Sequence, residues 1–186
     1  MKGSYIGQAW LAIALASAFG AALAGVHAGL GPRIAANRLN DTLSQIPALV
    51  PGAAKGEPLE VAGRLVYRAV DAAGAPVGWV VPAGGQGFAD RIELLIGLDR
   101  AADRITGLYI LQQNETPGLG NRVAEDAFRN RFRDQAAGAP LRVVKGRAGG
   151  AGEIEAVTGA TVSSDSVTAI VTGAAARFRR ERPDAP

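Results

Sequence analysis

Two short segments carry the residues best suited to chemistry. The first is Glu115-Thr116-Pro117-Gly118-Leu119-Gly120. Proline followed by glycine is the signature of a type II turn, here with Thr116 as its first residue. Such a turn after a strand can expose backbone N–H groups to a ligand. It serves equally as an ordinary strand-to-helix connection. The second segment is Thr158-Gly159-Ala160-Thr161-Val162-Ser163-Ser164-Asp165, which leads into an amphipathic helix. Small residues around Gly159 let a ligand approach the backbone closely. N–H groups at a helix start carry partial positive charge and favour a phosphate. The competing reading is a hydroxyl-rich helix start capped by Ser163, Ser164 or Asp165. Asp165 also places a like charge near any bare phosphate.

Composition narrows the chemistry further. The 186 residues include no Cys and one His. That excludes a disulfide scaffold, a thiolate metal site, an iron–sulfur cluster and a cysteine nucleophile. One His argues against a His-based zinc site and a Ser–His–Asp triad. No metal ligand and no catalytic side chain is assigned, so redox chemistry would require an organic cofactor. The sequence has no GxxxxGK[ST] loop. Gly84-Gly85-Gln86-Gly87-Phe88 is Gly-rich but reads alone only as a loop.

The elements that must position these segments begin with an apolar stretch. No charged residue occurs from Gly3 to Pro32. About 20 apolar residues span a bilayer core, and residues 6–30 have that length and character. A retained membrane anchor is expected over residues 1–32. The alternative is a cleaved signal peptide, with Lys2 as its n-region, 11–19 as its h-region and 22–24 as a small-residue cleavage site. Tyr5 and Trp10 fit an aromatic belt, and His27 reads as an interfacial residue. Either reading places the following domain outside the cytoplasm.

Pro32 is expected to restart the chain. Ile34, Leu39, Leu43 and Ile46 then share one face of a connector helix, with Pro47 and Pro51-Gly52 ending it. Residues 33–58 thus form a connector and linker, 59–182 the main domain and 183–186 a tail. Strand signals lie at 64–70, 77–81, 91–98, 104–112 and 141–145. A short helix is expected at 122–134, from Val123, Ala127, Phe128 and Phe132. The clearest helix covers 165–180, where Val167, Ile170, Val171, Ala174 and Phe178 recur at helical spacing. Strands without regular βαβ alternation indicate an α+β fold. The basic cluster at 177–182 reads as a solvated helix end. Phe178 alone makes no stacking platform, so no nucleic-acid partner is assigned.

Together the segments ETPGLG (115–120) and EAVTGATVSS (155–164) resemble the FMN-binding domain of RnfG and NqrC subunits. Gly84 to Phe88, the following 91–99 stretch and the N-terminal span support the resemblance, which extends from about Ile6 to Phe178. It implies an α+β domain with an antiparallel sheet and packed helices, preceded by one transmembrane helix. It implies FMN joined through its phosphate to a threonine, a role that falls on Thr161. A flavin transferase would install it from FAD with magnesium, releasing AMP. Glu115, Thr116, Pro117, Gly118, Leu119, Gly120, Thr158, Gly159, Ala160, Ser163 and Ser164 would contact the cofactor. The family motif usually begins with Asp, where this chain has Glu155. The residue before ETPGLG is often His in the family and is Asn114 here, so no histidine role carries over.

The implied function is electron relay within an Rnf-type, ion-translocating ferredoxin:NAD oxidoreductase. The implied setting is a bacterial inner membrane, with the chain single-pass and the domain periplasmic. Partners would be the other subunits of the complex. RnfG is favoured over NqrC because the chain leaves little room for insertions. The alternatives are an NqrC-type subunit, a flavin-binding redox sensor, or a secreted protein in which Thr161 only begins a helix.

Overall fold

The computed structural model describes residues 5–182. The chain divides into two units, Met1–Asp41 and Thr42–Pro186. The first consists of most of a single helix, α1 (Tyr5–Leu49). At about 1.5 Å per residue it extends roughly 68 Å. Trp10, Leu11, Ile13, Leu15, Phe19 and Leu23 are all exposed on it. A helix apolar on every side is suited to lipid or to a large core, and this one is long and apolar enough to cross a membrane. The break expected at Pro32 is absent, and the helix also continues through Pro47. Each proline lacks one ladder donor, a loss that the helix absorbs at both positions.

The second unit is built on a five-stranded antiparallel sheet in simple sequence order. Its strands are β1 (Lys55–Val61), β2 (Arg64–Val70), β3 (Pro76–Gln86), β4 (Arg91–Asp99) and β5 (Ile105–Gln112). Antiparallel pairing needs only short connections, and the turns between these strands supply them. Alternation sends Val66, Val81, Leu94 and Ile96 into one core and Tyr67, Val80 and Leu95 into another. The second core is closed by Ile46, Leu49 and Val50, from the end of α1 and just beyond. Gly97 and Gly107 pair across β4 and β5. A β-carbon on Gly97 would fall 2.5 Å from the Leu49 carbonyl oxygen. The same oxygen accepts a 2.6 Å hydrogen bond from Thr106 Oγ1. Glycine at this crossing therefore allows the helix end to rest on the sheet.

The first core is closed by α3 (Thr161–Glu181) and by the segment after β5. Helical spacing suggests one helix at 122–134, but the chain forms a 3-10 turn (Gly120–Ala124), α2 (Asp126–Arg129) and a second 3-10 turn (Asn130–Phe132). Phe128 and Phe132 are nonetheless buried, edge to face, 5.4 Å apart. Four further differences separate structure from expectation. Strand β1 occupies much of the expected linker, and β3 continues through the expected loop at 84–86. The late strand is β6 (Arg142–Val144), which pairs in parallel with β7 (Glu153–Glu155). Helix α3 begins at Thr161, four residues before the expected start.

Candidate functional site

The two segments meet as a pair of left-handed turns. In the first, Leu119 N–H donates to Thr116 O at 3.2 Å, and Gly118 has φ +76°. That is the positive φ a type II turn demands at its third residue, where glycine is free of Cβ strain. In the second, Ala160 N–H donates to Val157 O at 2.9 Å, and Gly159 has φ +84°. Leu119 Cδ2 lies 2.9 Å from where a β-carbon on Gly159 would sit. The turns therefore touch.

Beneath them lies Glu115, only 4% exposed. Its carboxylate accepts backbone N–H bonds from Phe88 (3.3 Å), Ala89 (3.0 Å) and Asp90 (3.4 Å). It also accepts a short bond from Ser163 Oγ. One side chain thus joins the 87–90 loop, the 115–120 turn and the first turn of α3. Burial pushes its pKa upward, and the hydrogen bonds from Ser163, Ala89, Asp90 and Phe88 outweigh that, holding it below the usual carboxylate value. Gly120 keeps the junction open: a β-carbon there would approach Ser163 Oγ to 2.8 Å and Glu115 Cβ to 2.9 Å.

Ser164 works on the other side of α3. It is fully buried; its Oγ accepts from Val157 N at 3.0 Å and donates to Ala160 O at 2.9 Å. The hydroxyl ties both ends of the second turn. Arg131 braces the approach, its guanidinium donating to the carbonyls of Glu155 and Ala156.

The sequence-predicted residues therefore divide into two sets. Glu115, Ser163 and Ser164 have their polar atoms engaged within the protein and act as braces. Thr116, Pro117, Gly118, Leu119, Thr158 and Gly159 are exposed, Thr161 is half-buried, and Gly120 and Ala160 are enclosed. None of Ser163, Ser164 and Asp165 caps α3: Ala160 occupies the cap position, without a side-chain cap bond. The first turn of α3 thus keeps N–H groups that no capping side chain satisfies. Sequence reasoning missed the backbone donors at 88–90, the brace Arg131 and the outward-facing Val162. Phe88, Leu119 and Val162 are 64%, 47% and 53% exposed. They form apolar surface on the three segments that Glu115 joins.

A cavity of about 330 Å³ lies elsewhere, between the sheet and the later turns of α3. Val66, Val81, Ile170 and Phe178 help to line it, and none of the predicted contact residues does. The residues singled out from the sequence lie instead around Thr161, on an open shelf.

Residues 87–176 match the family described as FMN-binding domain. The matched stretch contains the 87–90 loop, both turns and most of α3. The G-type subunit of the proton-translocating ferredoxin:NAD(+) oxidoreductase complex of Clostridium ljungdahlii is 37% identical over 109 residues, 59% of this chain and 57% of that protein. Its counterpart in the ion-translocating oxidoreductase complex of Methanosarcina acetivorans is 34% identical over 103 residues, 55% of this chain and 52% of that protein. The counterpart in the Na(+)-translocating ferredoxin:NAD(+) oxidoreductase complex of Acetobacterium woodii is 40% identical over 97 residues, 51% of this chain and 46% of that protein. The chain spans about half the length of these curated relatives. The crystal structure of Shewanella oneidensis NqrC has a similar fold, with TM-score 0.54 and 24% identity over 58% of this chain and 53% of that one.

Proposed function

Taking residues 87–176 as an FMN-binding domain of the RnfG and NqrC type, we propose that this chain is an electron-carrying subunit of an Rnf-type, ion-translocating membrane oxidoreductase complex. FMN would be held as a phosphoester on Thr161. The observation that carries this reading is Thr161 itself: half-buried, first in α3, and beside N–H groups that no side chain caps. A phosphate on its Oγ1 would face the positive end of the helix. Phe88, Leu119 and Val162 offer exposed apolar surface for an aromatic ring system. These features fit FMN. They also assign the braces Glu115, Ser163 and Ser164 a supporting role, leaving direct contact to the two turns.

Bound flavin supplies one- and two-electron transfer, and the protein sets its orientation and electrostatics. The tether keeps it at high effective concentration in a compartment poor in free FMN. Attachment by a flavin transferase would form the Thr161 Oγ1–phosphorus bond as the pyrophosphate bond of FAD breaks. AMP leaves with the bridging oxygen, and the hydroxyl proton is released. Thr161 is then an attachment point with no part in electron transfer.

Helix α1 would anchor the chain once through the inner membrane, and the unit that begins at Thr42, β1 included, would be the periplasmic flavin domain. Other subunits of the complex would exchange electrons with it. The likeness to NqrC supports a second reading, the equivalent subunit of a sodium-translocating NADH:quinone oxidoreductase.

Intact mass of membrane-purified protein tests the attachment. Chain made with the transferase should exceed its sequence mass by one FMN less water, and Thr161→Ala should lose the increment. An unmodified native mass overturns the covalent reading. The subunits that co-purify separate the Rnf type from the NqrC type.

A further inference from the structure

Glu115 is the only buried carboxylate among the described residues. No cation pairs with it: its partners are three backbone N–H groups and one hydroxyl, all neutral. Taking a carboxylate out of water costs several kcal/mol unless its surroundings compensate. The joining of three segments does not itself require a charge. A glutamine could accept the Ala89 and Asp90 bonds through its oxygen and donate to Ser163 Oγ through its amide, giving up only the 3.3 Å bond from Phe88 N–H. The ionised group therefore adds something that the brace alone does not need.

What it adds is a fixed negative charge under the shelf that bears Leu119, Thr161 and Val162. Nearby Asp90, Arg122 and Asp165 are exposed, so water and salt screen them. Arg122 is also paired with Glu125. Glu115 is enclosed and screened far less, and its field reaches further.

We propose that Glu115 is an electrostatic tuning residue, whose charge lowers the reduction potential of the flavin carried on this shelf. This rests on the preceding reading of Thr161 as the flavin site. Reduction adds electron density to the flavin, and a fixed anion close by opposes it. Ser163 acts through Glu115: its hydroxyl dipole partly offsets the charge.

The test is the midpoint potential of the full-length, flavin-loaded chain in detergent, by spectroelectrochemical titration. Glu115→Gln should raise the reduced-to-oxidised ratio at fixed potential by about tenfold, equivalent to about 59 mV for a one-electron step. Ser163→Ala keeps the charge and removes a donor, so it should shift the ratio the opposite way. Both variants weaken the same brace, and loosening alone would move both potentials in one direction. Unchanged potential in Glu115→Gln, or shifts of the same sign in both, overturns the inference. If Glu115→Gln does not fold, the sign of the Ser163→Ala shift decides. A native chain without flavin removes the underlying reading, whereas flavin with unmoved potentials sinks this inference alone.

Discussion

Leu119 rests on Gly159, with its Cδ2 atom 2.9 Å from the place a β-carbon on that glycine would take. The two residues lie forty positions apart, each in a turn that contains a left-handed glycine. The contact fixes one turn against the other without a hydrogen bond between them. It makes the shelf sensitive to a single added methyl group.

Gly159→Ala meets two obstacles, a positive φ and the Leu119 side chain. An alanine in left-handed conformation costs about 1–2 kcal/mol, and the contact adds to it. Thermal melting should fall accordingly, and flavin absorbance per chain should fall with it. Combining Gly159→Ala with Leu119→Ala relieves the contact but leaves the backbone strain, so rescue should be partial. Full stability and full flavin content in Gly159→Ala would show that the turns do not constrain each other.

Ser164→Ala should destabilise the fold more than its small volume suggests. It strands the buried Val157 N–H and removes a bond to Ala160 O. A buried donor left unsatisfied costs about 1–3 kcal/mol. In a chain of this size the melting temperature falls about 2–4 °C per kcal/mol. Calorimetry of native and variant chains checks it, and an unshifted transition would exclude this brace.

Acid should weaken the native state partly through Glu115. Burial raises its pKa, but the bonds from Ser163, Ala89, Asp90 and Phe88 lower it further, so it lies below the ordinary value. The unfolded carboxyl then binds a proton more readily than the native one. Its stabilising contribution is present above roughly pH 4.3, and is lost as pH falls through the native pKa. Glu115→Gln should flatten part of the melting-temperature profile on the acid side, below about pH 5. Glu57, Asp90 and Glu153 are also held below their usual values, so some acid sensitivity should remain. Parallel native and variant profiles would remove Glu115 as a contributor.

Much of the sheet was legible because alternation writes itself into sequence. Val66, Val80, Val81, Leu94 and Leu95 announce two-faced strands. Strand β1 was hidden by Gly56 and Pro58, residues that usually punctuate strands. The start of α3 was misplaced for a physical reason. Caps are read through side-chain oxygens, and here Ala160 occupies the cap while both serines point inward. The turn at 116–119 was readable because Pro117 and Gly118 fix its backbone locally. The bond from Ser163 to Glu115 was not, since it joins positions 48 apart with no periodicity linking them. Sequence thus located the two segments, while the division between braces and exposed shelf emerged only from packing.

The Glu115 clamp reads main chain, not side chain, at 88–90. Phe88 and Ala89 can change identity without altering the donors that the carboxylate uses, provided the new residue keeps its N–H. The loop is thus a variable face on an invariant backbone. Randomising these two positions would sample different surfaces around one anchored geometry, and would make this loop the natural place to diversify what the shelf accepts.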